Sequence, residues 1–119
     1  MDTTGPFSPL TKTLPWGSFD QFVHETPCTV KILTINPGEA LSLQRHKKRD
    51  EFWHVLEGEG TLQIGDEMIA IEKGTNHFIS RNSLHRVSAK SDAVKILEIS
   101  LGEFDESDIE RLEDKYGRI

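Results

Sequence analysis

One cysteine in 119 residues leaves no partner for an internal disulfide. The fold must therefore be held by packing, and the chain reads as one made for a reducing compartment, with Cys28 expected to be a buried thiol. No apolar run approaches the roughly 20 residues that a membrane-spanning helix needs. Residues 1–6 lack the positive and apolar regions of a secretory signal, so the expected location is the cytoplasm. Basic residues are also short: 14 Lys and Arg stand against 20 Asp and Glu, a net charge of −6. Such a field repels phosphate backbones and acidic headgroups, which argues against nucleic-acid and membrane partners. Hydrophobic residues make up 35% and aromatic residues 8%, enough for one modest core. Barrel closure or a second subunit would supplement that core, and a homodimer is expected.

What the chain does have is a regular beat of short apolar segments. Residues 1–13, rich in Thr, Pro, Ser and Gly, read as an extended arm, and residues 14–119 read as the folded domain. From 30 to 35, Val30, Ile32 and Thr34 fall on one face and Lys31, Leu33 and Ile35 on the other, before Pro37-Gly38 turns the chain. Strand-like segments recur at 41–46, 51–56, 61–64, 68–72, 77–79, 86–88 and 93–101. Glycine-bearing breaks such as Gly58-Glu59-Gly60 and the hairpin signal Gly65-Asp66 separate them. Many short strands with no helix between them predict an all-β sandwich or barrel. One short C-terminal α-helix is predicted after them. Ser107 and Glu110 form a capping-box pattern, Ile109, Leu112 and Tyr116 recur at helical spacing, and Asp105, Glu106 and Asp108 suit a helix start.

The chemistry concentrates between Gly38 and Gly58. Gln44 and His46 share one face of a strand, Glu51 can meet them from the next strand, and His85 opens a later one. Two imidazoles, a carboxylate and an amide make a mixed nitrogen and oxygen set that suits a divalent transition metal: zinc, manganese, iron, cobalt or nickel. Arg45, Lys47, Lys48 and Arg49 form a basic run beside it, with Arg45 facing away from the donors. Glu98 and Ser100 alternate with Leu97 and Ile99 and so face the cavity, where Glu98 is a candidate for proton transfer. Trp53 and Val55 should line the interior. Phe52 and Leu56 fall on the opposite face, where a second subunit would cover them, and His54 points outward with them. Trp16 reads as a core anchor or as part of an N-terminal clamp.

Gly38, Gln44, His46, Glu51 and Gly58 fall at the intervals of the first cupin motif, with Gln44 in place of its first histidine. Gly74 and His85 fit the second. The segments Pro15-Trp16-Gly17-Ser18-Phe19, Leu41-Ser42-Leu43-Gln44-Arg45-His46 and Glu51-Phe52-Trp53, together with residues 108–118, resemble type II mannose-6-phosphate isomerase. The resemblance implies a jelly-roll barrel, the double-stranded β-helix of cupins. It implies metal ligation by Gln44, His46, Glu51 and His85, and interconversion of mannose 6-phosphate and fructose 6-phosphate. Arg49 and Lys31 are assigned to the substrate phosphate, and Glu98 with Lys31 to the proton transfer. Leu14 and Ile32 stand where that family has basic residues. Two other readings accompany this one: an iron-dependent oxygenase built on His46, Glu51 and His85, and a non-catalytic cupin that binds metal or sugar.

Overall fold

Across residues 9–118, the part of the chain described by the computed structural model, the sequence alternation becomes eleven β-strands and no helix. They are β1 (Leu10–Leu14), β2 (Gly17–Gln21), β3 (Thr29–Ile35), β4 (Leu43–Arg45), β5 (Arg49–Glu57) and β6 (Gly60–Ile64). There follow β7 (Glu67–Ile71), β8 (Asn76–Ile79), β9 (His85–Ala89), β10 (Val94–Gly102) and β11 (Glu110–Glu113). Besides the two-stranded sheet β1-β2, the barrel has one sheet of order β3-β10-β5-β8 and one of order β11-β4-β9-β6-β7. Neighbouring strands are antiparallel throughout, as the jelly-roll barrel requires.

A single apolar core joins the two sheets. Ile35, Trp53, Val55, Ile79, Val94 and Ile96 from the first sheet meet Leu62, Ile71, Val87 and Ala89 from the second. The alternation on β5 explains the choice: Trp53 and Val55 point inward and are almost wholly buried. Phe52 on the opposite face is also buried within this chain, its ring 5.8 Å from that of Phe22. A second subunit is thus not needed to cover it. His54 faces outward as its phase predicts, bonded to Asn76 with its ring 5.0 Å from Phe22. Two glycines combine a close backbone approach with a positive φ. Gly58 has φ of +87°, and a Cβ there would lie 2.2 Å from the Ala93 carbonyl oxygen. Gly102 has φ of +113°, and a Cβ there would lie 2.3 Å from the Lys48 carbonyl oxygen.

Four expectations are corrected here. The C-terminal helix does not form, because the residues read as its start are claimed by distant partners. Asp108 accepts from the amides of Lys47 and Lys48, each at 2.9 Å. Glu110 takes the Arg45 guanidinium at 3.0–3.2 Å as β11 pairs with β4. Lys115 and Tyr116 then both reach Glu39 across the chain. Cross-strand bonds of this kind override a local capping pattern. At the other end, part of the expected arm is strand: β1 pairs with β2 in a hairpin, and Trp16 at its turn is 71% exposed, so it is no core anchor. Residues 1–8 of that arm lie outside the described residues. Cys28 is exposed rather than buried.

Candidate metal centre

β5 delivers Glu51, β9 delivers His85, and the turn after β4 delivers His46, so three donors from both sheets meet at one end of the barrel. Their ligand atoms all lie within 4.8 Å of one another, and all three residues are buried. Glu51 Oε1 is 3.3 Å from His46 Nε2 and 3.5 Å from His85 Nε2. The buried Trp53 ring stands nearly perpendicular to the His85 ring, 5.8 Å away.

Each imidazole is oriented from behind. His46 Nδ1 donates to the Asp108 carbonyl at 2.7 Å, and His85 Nδ1 donates to the Ser83 carbonyl at 3.0 Å. With Nδ1 bound to a carbonyl, each ring turns its Nε2 toward Glu51. Arg49 Nη2 lies 3.3 Å from His46 Nε2. Glu51 Oε1 and His85 Nε2 are buried without a hydrogen-bond partner. Buried nitrogen and oxygen atoms facing one another in this way need a cation between them, a proton or a metal ion, and a metal ion satisfies all of them together. The donor set therefore fits a metal, and the carbonyls behind the rings are the outer partners such ligands use.

The fourth sequence-assigned ligand, Gln44, is at the rim of this cluster. It pairs with His85 across β4 and β9, and its Nε2 is 3.5 Å from His46 Nε2. Its oxygen accepts from the buried Ser42 hydroxyl at 2.6 Å. To present that oxygen to an ion the amide must turn over, with Ser42 then accepting from the amide nitrogen.

Glu98 lies beside Glu51 and is nearly buried, and Ser100 donates to it at 3.4 Å. Burial, and then the charge of Glu51, push the Glu98 carboxyl up to about 8. Glu51 itself goes the other way. Burial opposes its ionisation, but side-chain bonds from His46, His85 and Glu98 hold it well below the usual carboxylate range. One carboxyl of the pair is thus charged and its neighbour protonated. Lys31 is directly opposite Glu98 on β3, and Arg49 is buried at the start of β5. Both were legible in the sequence. What sequence reasoning missed is the connection after β10: the Phe104 ring lies 4.3 Å from Lys31 Nζ and 4.6 Å from Arg49 Cζ. The acidic run 105–108 was its only signal, and that run also suits a helix start.

A pH dependence follows. Between the ordinary 4.5 and about 8 the folded protein keeps a proton on Glu98 that the unfolded chain has lost. Metal-free protein should therefore lose stability as pH rises through that interval. Glu51, held low, acts in the opposite sense, its contribution disappearing only on acidification. In chelator-treated protein the urea midpoint should fall from pH 5 to 8. Glu98→Gln should remove most of that fall, a difference above about 1.4 kcal/mol, the worth of one pKa unit. A midpoint with the same slope in both proteins would contradict the assignment.

Residues 10–114 match the family described as mannose-6-phosphate isomerase C-terminal. The alginate biosynthesis protein AlgA of Pseudomonas aeruginosa is 37% identical over 106 residues, 87% of this chain and 22% of that protein. The mannose-1-phosphate guanylyltransferase ManC of Salmonella typhimurium is 31% identical over 107 residues, 88% of this chain and 22% of that protein. The chain thus spans about a fifth of the length of these relatives. Among solved structures, a cupin protein from Bacteroides fragilis aligns with a TM-score of 0.60 at 24% identity, over 72% of this chain and 78% of that one. That likeness is one of fold. Among the described residues no helix is long and apolar enough to cross a membrane.

Proposed function

Because this chain belongs to the family of mannose-6-phosphate isomerase C-terminal domains, we propose that its barrel interconverts mannose 6-phosphate and fructose 6-phosphate. The observation that carries this reading is Glu98, a buried carboxyl set between the three-donor cluster and two cations. Aldose–ketose isomerisation moves a proton between C2 and C1 through an enediol, so it needs a group that takes a proton at one carbon and returns it at the other. Glu98 has that role. Its raised affinity for protons comes partly from Glu51, and positive charge held by Glu51 weakens that cause and frees the carboxylate to act as a base.

A divalent transition metal (zinc, manganese, iron, cobalt or nickel) held by His46, Glu51 and His85, with the Gln44 amide as fourth ligand, would supply Lewis-acid polarisation of the oxygens on C1 and C2. The remaining work belongs to the chain. Lys31 and Arg49 bind the phosphate and set the position of the sugar, which converts a diffusional encounter into an aligned one. Trp53 and the apolar core below it close the cavity and keep water from the proton in transit. Lys31, opposite Glu98, also favours the charged form of that carboxyl.

A coupled assay for fructose 6-phosphate, run on chelator-stripped protein reloaded with each divalent metal in turn, tests the reading. Turnover with at least one metal is expected. Sugar-phosphate binding without turnover, at verified metal occupancy, would favour a non-catalytic cupin, a reading to which the neutral Leu14 and Ile32 lend weight.

A further inference from the structure

The connection from β10 to β11, residues 103–109, is fastened to the barrel at its two ends. At one end Gly102 packs against the Lys48 carbonyl, and at the other Asp108 holds the amides of Lys47 and Lys48 and the His46 ring. Between these anchors its backbone hydrogen bonds are local, from Asp108 to Asp105 and from Ile109 to Ser107. The middle meets the barrel chiefly through cations. Phe104 has Lys31 and Arg49 over its ring, the Asp105 carbonyl accepts from Arg49 Nη1 at 3.4 Å, and Glu106 Oε1 sits 3.1 Å from Lys31 Nζ. Arg49 is buried, with its Nε lacking a hydrogen-bond partner.

These contacts are unequal in strength. Glu106 is 81% exposed at its side chain, so its pair with Lys31 is a surface ion pair with little net worth. A buried guanidinium with an unmet donor is a standing demand for an anion. A phosphate offers three acceptor oxygens and close to two charges, enough to bridge an ammonium and a guanidinium at once. A single carboxylate from this connection reaches only one of them.

We propose that Glu106 is a built-in competitor for the substrate phosphate: its carboxylate occupies Lys31 in the resting protein and is displaced when a phosphate bridges Lys31 and Arg49. Phe104 keeps both cations on one ring, so that the pair is ready once Glu106 leaves. Sugars without a phosphate have no charge with which to displace the carboxylate, so Glu106 is a specificity-determining residue that favours dianionic ligands. The inference rests on the reading of Lys31 and Arg49 as the phosphate site.

Phosphate affinity measured directly separates the two claims. Inorganic phosphate is titrated by calorimetry into metal-free parent, Glu106→Gln and Lys31→Met proteins. Glu106→Gln should bind about twofold to fivefold more tightly, the range of one exposed ion pair, and Lys31→Met should lose most of the affinity. In metal-loaded protein the same Glu106→Gln change should lower KM for mannose 6-phosphate by a similar factor at constant kcat. Unchanged or weaker phosphate binding by Glu106→Gln, with Lys31→Met still impaired, overturns the competitor role and leaves the phosphate site standing. Equal affinity in all three proteins overturns both. Tighter binding by Glu106→Gln in a protein that shows no turnover upholds the competitor and removes the isomerase reading alone.

Discussion

Glu98→Gln is expected to cut isomerisation by about 10²- to 10⁴-fold, the usual worth of a positioned acid–base group. The change keeps shape and burial, and it preserves an acceptor for the Ser100 hydroxyl. It removes the ability to take up and release a proton. Metal content should be unchanged, because Glu98 lies beside the donor cluster and not among its members. The loss should appear in kcat, with KM for the sugar phosphate little altered, since the phosphate contacts assigned to Lys31 and Arg49 remain. A variant with parental kcat would place the proton transfer elsewhere in the cavity.

The second large effect is at Glu51. Glu51→Gln should lower metal affinity about 100-fold or more, beyond the range set by a lost outer partner. The amide supplies no negative charge where two imidazoles and a cation need one. The fold should survive, because the amide keeps the shape of the side chain and the apolar core that joins the sheets does not include Glu51. Elemental analysis after gel filtration, beside a thermal melt of the metal-free variant, separates the two consequences. A variant that retains a full equivalent of metal would contradict the three-donor centre.

Much of the barrel could be read from period and punctuation because each strand buries one face. The β5 alternation around Trp53 and Val55, the Gly65-Asp66 turn and the inward phase of Glu98 and Ser100 are all decided locally by the pleat. His46, Glu51 and His85 were legible for the same reason: each sits at a position whose phase turns it inward, and the two sheets then face them across the barrel interior. The C-terminal segment was not, because its fate is set by partners far away in sequence. Asp108 looks like a helix-start acid until the Lys47 and Lys48 amides are seen to occupy it, and Glu110 pairs with Arg45, 65 residues earlier. Phe104 and Glu106 were hidden likewise. A lone aromatic beside acidic residues has no pattern of its own, and it acquires a role only when folding brings Lys31 and Arg49 to it.

The most direct test is to incubate the metal-loaded chain with fructose 6-phosphate in D2O and follow the sugar by NMR. Mannose 6-phosphate should accumulate, with deuterium at C2 only to the extent that Glu98 exchanges its proton with solvent before returning it, and Glu98→Gln should suppress the product. With the metal site demonstrably filled, a spectrum that shows fructose 6-phosphate alone, protonated at C1 as supplied, would contradict the assignment of this barrel as an isomerase.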